Sequence, residues 1–420
     1  MSVSTFFDSF LVASADAVNT TYARSGYGFA PLGCIVWANG RSDSTDAVGS
    51  SHIWMSIGYA SSTSRRACIA FQSQDAAVTS DTSQMCRDDA VLVTLSTGDA
   101  LDGAVDVSAF GSDGLTFIVD DQLPRDTRIF VWAFGGDSIT NVEVGTWSSP
   151  TATGNFTFNN VDNFQPTMLF IGFSGGQAFN TGVNGFAGGF GYAISTSKRG
   201  HVSWGSENLQ VTSNTTRYSI DVECSSRIAT NNVNNRCDFV SFNASPGGVT
   251  LNQIEGALDR KGIWMMINGG DWDAGNLATR TDGNDIAVTG LASKPSGFVF
   301  FGHGTTENTA NAAADHLKLS IGAASSTSNR GCMALSDQDA LVGTECATII
   351  EYDEVYAQTD LADGVDALMV LKSIEDTGFT CVMDDVDSAA AFVHWVSVGP
   401  APVVGGATNP GWVSSSRGWF

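Results

Sequence analysis

Positive charge is scarce in this chain. Lys and Arg number 20 against 44 Asp and Glu, a formal charge of −24 over 420 residues. Such a surface repels a phosphate backbone, so nucleic acid is not expected as a partner. Charge of either sign is sparse, at 15%, where soluble domains average roughly 25%. The five histidines are scattered, and neither an HExxH run nor a Walker loop occurs. No G-x-S-x-G elbow precedes a helix. The eight cysteines include no CxxC spacing and are too few for a disulfide scaffold. No apolar run approaches the ~18 residues of a membrane span. The opening MSVSTFFDSFLVASADA has no Lys or Arg before Arg24, and Asp8 interrupts its apolar stretch, so no secretory signal is expected. These absences together predict a protein that is not an enzyme and needs no cofactor or metal.

What the chain does contain is repetition. HIWMSIGYASSTSRRACIAFQSQDA, from His52, returns 264 residues later as HLKLSIGAASSTSNRGCMALSDQDA, from His316. A middle copy, GFGYAISTSKRGHVSWGSEN, runs from Gly189 to Asn208. Other landmarks recur in the same order. Pro31, Pro166 and Pro295 each precede an apolar run, and Gly114-Leu115-Thr116, Gly248-Val249-Thr250 and Gly378-Phe379-Thr380 each open a strand-like segment. The chain therefore divides into an N-terminal arm at 1–25 and modules at 26–145, 146–280 and 281–420.

Within a module the pattern is strand. IVWA, ACIAF, VLVTL and RIFVWAF are short runs rich in Val, Ile, Phe and Trp, separated by Gly, Asn, Asp and Ser. The expectation is an all-β protein of three tandem β-sandwich modules of about 130 residues, jelly-roll or lectin-like, with a closed barrel as the alternative. Helical spacing is confined to Thr5–Val18, where Phe6, Phe10 and Ala13 share a face, and more weakly to Ala310–His316.

Several side chains are candidates for function. Arg66, Arg199 and Arg330 follow the repeated SSTSRR, ISTSKR and SSTSNR turns. The preferred reading pairs each with a carboxylate or carbonyl inside its module; the alternative is an anion or sugar contact. Asp120-Asp121 and Asp384-Asp385 end aligned strands and read as solvated strand ends, with calcium the sharper alternative. Trp272, after the Gly269-Gly270 turn, reads as loop-placed, and Trp204 replaces Phe71 and Leu335 at an aligned position. Both are candidate glycan or partner contacts. Trp37, Trp54, Trp132, Trp264 and Trp395 lie in strand runs and read as core. Cys68/Cys86, Cys224/Cys237 and Cys332/Cys346 are candidate disulfides, each closing a short loop if oxidised.

At P-x-x-x-(apolar)4-x-G, S-x-G-x-A-S-S-T-S-x-R and D-G-x-T the modules resemble repeated β-sandwich modules in uncharacterised structural proteins of tailed, particularly marine, bacteriophages. The resemblance spans nearly the whole chain and carries no catalytic signature. It implies a virion component, assembled in the host cytoplasm as a tail or baseplate appendage or a head decoration. The implied partners are other virion proteins and further copies of the chain, met through the arm and the C-terminal GWVSSSRGWF. The competing expectation is a glycan-binding adhesin or receptor-binding protein, whose partner would be a host surface glycan.

Overall fold

The computed structural model describes residues 2–229, 232–256, 258–305, 314–361 and 364–401. The fold is all-β, and among the described residues there is no helix. The first strands are β1 (Ser4–Val12), β2 (Thr21–Ser25), β3 (Pro31–Ala38), β4 (Ala47–Ser50), β5 (Ile53–Ala60), β6 (Arg66–Ser73), β7 (Thr82–Arg87), β8 (Leu92–Leu95), β9 (Leu101–Gly111), β10 (Gly114–Asp121) and β11 (Thr127–Gly135). The next are β12 (Ile139–Ser148), β13 (Gly154–Asn159), β14 (Met168–Ser174), β15 (Val183–Asn184), β16 (Phe186–Ser195), β17 (Lys198–Ser206), β18 (Thr215–Ile220), β19 (Ser225–Ala229), β20 (Asn232–Ala244), β21 (Gly247–Glu255) and β22 (Lys261–Gly269). The last are β23 (Asp271–Ala278), β24 (Ile286–Thr289), β25 (Gly297–Gly302), β26 (Ala314–Asp315), β27 (Leu317–Ala324), β28 (Arg330–Asp337), β29 (Cys346–Glu351), β30 (Tyr356–Thr359), β31 (Val365–Glu375), β32 (Gly378–Asp385) and β33 (Phe392–Gly399).

Each set builds one seven-stranded and one four-stranded sheet, and the strand order is the same three times. In the first unit the large sheet runs β1-β11-β3-β5-β6-β7, with β15 of the next unit as its seventh strand, and the small one runs β2-β10-β9-β8. First strand pairs with last, and second with second-last, so each unit closes on itself as a two-layer sandwich. Apolar clusters fill the three sandwiches separately.

The sandwich units begin earlier than the sequence suggested. Residues 4–12, expected in a detached arm, form β1, paired with β11 from Ser4↔Gly135 to Val12↔Thr127. Thr21–Ser25 pairs with β10. The helix expected at Thr5–Val18 is this strand. The stripe misled because residues four apart share a side in a strand as well as in a helix: Phe6 and Phe10 both pack into the core of the first sandwich, while Phe7, between them, points into another core. The second helix candidate, Ala310–His316, lies mostly outside the described residues, and its end is β26. The C-terminal GWVSSSRGWF lies outside them entirely.

The large sheets are apolar on both faces. In β6, Ile69 and Phe71 face a fourth apolar core while Cys68 and Ala70 face outward into their own unit. This fourth core is common to all three units. Phe71 meets Trp204 edge-on at 5.3 Å, Phe190 meets Phe301 at 4.7 Å, and Trp272 meets Trp132 at 6.4 Å and Phe170 at 6.0 Å. Full burial of one such side chain contributes roughly 1.5–3 kcal/mol, so the shared interior outweighs any surface contact.

One repeated glycine is dictated by packing. Gly58, Gly191 and Gly322 oppose Cys68, His201 and Cys332. A Cβ at these glycines would lie 1.8, 2.1 and 2.2 Å from the carbonyl oxygens of Val91, Cys224 and Val355. The chain leading to the small sheet crosses there, directly against the large one.

All eight cysteines are free, buried thiols, contrary to the expected bridges. Cys86 lies opposite Ile69, one residue from Cys68, so the two point to opposite faces. Cys332 opposes Glu351 while Cys346 opposes Asp337, five register steps away, roughly 17 Å, where a disulfide needs about 7 Å or less between Cα atoms. Cys224 and Cys237 are adjacent, but Cys224 Sγ donates to the Cys237 carbonyl at 3.4 Å and Cys237 Sγ to Gln253 at 2.9 Å.

Two outcomes are expected. Thiol titration should find all eight cysteines only after denaturation, and calorimetry should show the three units melting in one transition. Three resolved transitions would mean that the common core does not couple them.

Candidate functional site: the threefold tip and its junctions

The units are joined in a ring by exchanged strands. β15 of the second unit adds to β7 of the first, Val183 against Gln84. β26 of the third adds to β18 of the second, Arg217 against Ala314. β4 of the first adds to β29 of the third, Ala47 to Ser50 against Ile350 to Ala347. Each large sheet thus ends at one side on a neighbour's strand, which covers that edge.

The repeated Ser/Thr turns make a second set of links. Ser62, Ser195 and Ser326 accept backbone N–H bonds from residues two and three further on, which shapes each turn. The next position then reaches the first strand of the following unit or its surroundings. Arg65 pairs with Glu143 and Asp162, Lys198 with Asp273 at 2.7 Å, and the Asn329 amide exchanges two 2.9 Å bonds with the Phe7 backbone. The aligned arginines one residue later stay within their units. Arg66 pairs with Asp106 and Arg199 with Asp238, whereas Arg330 donates to the carbonyls of Asp353 and Leu371.

Ser73, Ser206 and Asp337 are the last residues of β6, β17 and β28. Equivalent residues from three units can meet only near an approximate threefold axis, and these meet. Both serine hydroxyls donate to Asp337 Oδ2, at 2.8 and 3.3 Å. Asp337 is fully buried, and burial pushes its carboxyl up to about 7 against the lowering effect of the two serines.

Beyond this point the three following loops, 74–81, 207–214 and 338–345, interlock. Ser80 and Leu209 share bonds with residues of each other's loops, Ser213 bonds Ala340 and Leu341, and Thr344 bonds Ala76 and Ala77 through the backbone. His52 Nδ1 and His316 Nδ1 accept the N–H groups of Asp75 and Asp339 at 2.7 and 2.9 Å, bracing two of the loops. The loops then expose what water disfavours. Val78, Val211 and Val342 hold the same position in QDAAV, ENLQV and QDALV, and they are 85%, 62% and 79% exposed. Leu209 adds to them, and a 310 Å³ hollow lies between Val78 and Val342.

The glycan candidates are not at the surface. Trp204 and Trp272 are buried in the common core, because Trp272 falls within β23 rather than in a loop. The five tryptophans expected in cores are buried. Asp120, Asp121, Asp384 and Asp385 are exposed at the ends of β10 and β32. One arrangement has a catalytic look: His201 Nε2 lies 2.6 Å from Ser226 Oγ. Both residues are fully buried, so no substrate reaches them.

No family model and no curated protein matches the chain. A solved structure of PNGF-II aligns over 88% of this chain and 98% of that chain at 8% identity, with a TM-score of 0.18, a likeness too slight to carry an argument.

The valine trio was missed because exposed valines in polar loops look unremarkable one at a time. Superposing QDAAV, ENLQV and QDALV would have revealed the repeated position. The axial carboxyl yields a prediction with a defined sign. Its raised pKa means that its contribution is fully present below the unfolded value near 4 and is lost as pH rises through about 7. Asp337→Asn is therefore expected to raise Tm by several degrees at about pH 8 and to change it little at about pH 4. Equal shifts at both pH values would refute the assignment.

Proposed function

We propose that this protein is a non-enzymatic structural component of a bacteriophage particle, a tail or baseplate appendage or a head decoration, attached through its threefold tip. The observation that carries the proposal is the exposed trio Val78, Val211 and Val342 at the end of a closed three-unit ring. Apolar side chains repeated in register around an axis suit a docking site with threefold character. The ring suits a rigid part, since each large sheet is continued at one edge by a strand from a neighbouring unit. The strong acidity elsewhere keeps such a part dispersed until it docks. In this reading the partners are other virion proteins, the location is the virion, and copies of the chain cluster by docking to a shared scaffold.

The glycan-adhesin alternative was carried by Trp204 and Trp272, which are interior, and no aromatic side chain is exposed among the described residues.

The test is mass spectrometry of purified particles, with copy number, on native chain and on the Val78→Asp/Val211→Asp/Val342→Asp variant. The native chain is expected at a fixed copy number per particle. The variant should fold with each change within about 0.5 kcal/mol, because the sites are exposed, yet be lost from particles. Absence of the native chain from particles would overturn the proposal; retention of the variant would overturn docking through the tip.

A further inference from the structure

The junction that closes the ring, between the first and third units, carries an unbalanced knot of acid. Carboxylate oxygens of Asp46, Glu351, Asp353 and Glu354 all lie within 4.8 Å of one another. Asp46 arrives on the segment leading into β4, the strand handed to the third unit; the other three follow from β29. Glu351 and Glu354 are only 5% and 4% exposed. Glu354 Oε2 is buried among these acids with no hydrogen-bond partner.

The other two units show how such acid is normally neutralised. Arg87, Ile220 and Glu351 are equivalent, since they oppose Cys68, His201 and Cys332. In the first unit Arg87 pairs with Asp89 at 2.7 Å. Three residues past the equivalent position stand Ala90, Glu223 and Glu354. Glu223 is buried and holds Arg236 through both carboxylate oxygens. Arg236 opposes Glu255, and its counterpart opposite Asp385 is Leu368. The third unit has therefore lost the arginine and gained acids. The nearby Arg330 spends its N–H groups on the carbonyls of Asp353 and Leu371. Four acids thus face one guanidinium, and burial of like charges without matching counter-charge is costly.

We propose that Asp46, Glu351, Asp353 and Glu354 bind one divalent cation, Ca²⁺, which ties the first unit to the third and locks the ring. The donors are all hard oxygens. A Ca²⁺ shell at about 2.3–2.6 Å is roughly 5 Å across and encloses oxygens spread this far, while Mg²⁺ prefers a smaller octahedron and keeps its waters. The site is independent of any role in a particle.

The experiment uses the full chain, stripped with EDTA and titrated with CaCl₂ or MgCl₂ by calorimetry, with Tm read in parallel. One Ca²⁺ per chain is expected, with Tm several degrees higher in millimolar Ca²⁺ and a smaller rise in Mg²⁺. Glu354→Gln and, separately, the exposed-side Asp46→Asn should each weaken Ca²⁺ binding at least tenfold. Asp120→Asn, at a solvated strand end, should leave it unchanged. Glu354→Gln should also raise the Tm of the EDTA-treated protein, which shows that the variant folds. No Ca²⁺ binding at millimolar concentration, or binding that survives both Glu354→Gln and Asp46→Asn, would overturn the site.

Discussion

Burial of three sheets against one another is the constraint on which this molecule depends. A sheet covered on one face only would alternate apolar and polar residues. Here β5 and β14 are buried along their whole length, and the residues pointing away from each sandwich find cover only in the other two units. A single unit cut from the chain would present Trp132, Phe134 and Phe71 to water. Exchange of β4, β15 and β26 follows from the same arrangement, because sheets that meet around an axis bring their edges within reach of their neighbours' loops.

Specificity of assembly rests on smaller features laid over that core. The same turn position reaches the next unit with three different side chains: Arg65 by two ion pairs, Lys198 by one, and Asn329 by imitating a backbone strand at Phe7. One geometry is thus held with three local solutions, and the turns fix the order in which the units sit.

Much of this was legible in the sequence, and the remainder failed for identifiable reasons. The strand character, the repeat landmarks and the Ser/Thr turns are local properties, so local reading found them. The core tryptophans were found because they lie in uninterrupted apolar runs. Trp272 was misplaced because its strand follows immediately on the Gly269-Gly270 turn, which resembles the start of a loop. β1 was mistaken for a helical arm because its partner β11 lies more than a hundred residues away. The exchanged strands β15 and β26 have two residues each, too short for any periodicity. The cysteine pairs look convincing by spacing alone; register separates Cys68 from Cys86 and Cys332 from Cys346, and register is not written in spacing. The acids Asp46 and Glu351 are remote in sequence and meet only because β4 crosses to another sheet.

The hydroxyl–hydroxyl–carboxyl group at Ser73, Ser206 and Asp337 has a consequence for how such a molecule can change. An assembly of three identical chains must place the same side chain on its axis three times over, so an aspartate there would bring three buried acids together. A fused chain escapes that rule. It can set one acid among two hydroxyls and treat each of its three corners as a separate position. Fusion therefore keeps the mechanical outline of a trimer while releasing its corners to diverge, and it gives a nominally threefold object a distinguishable front.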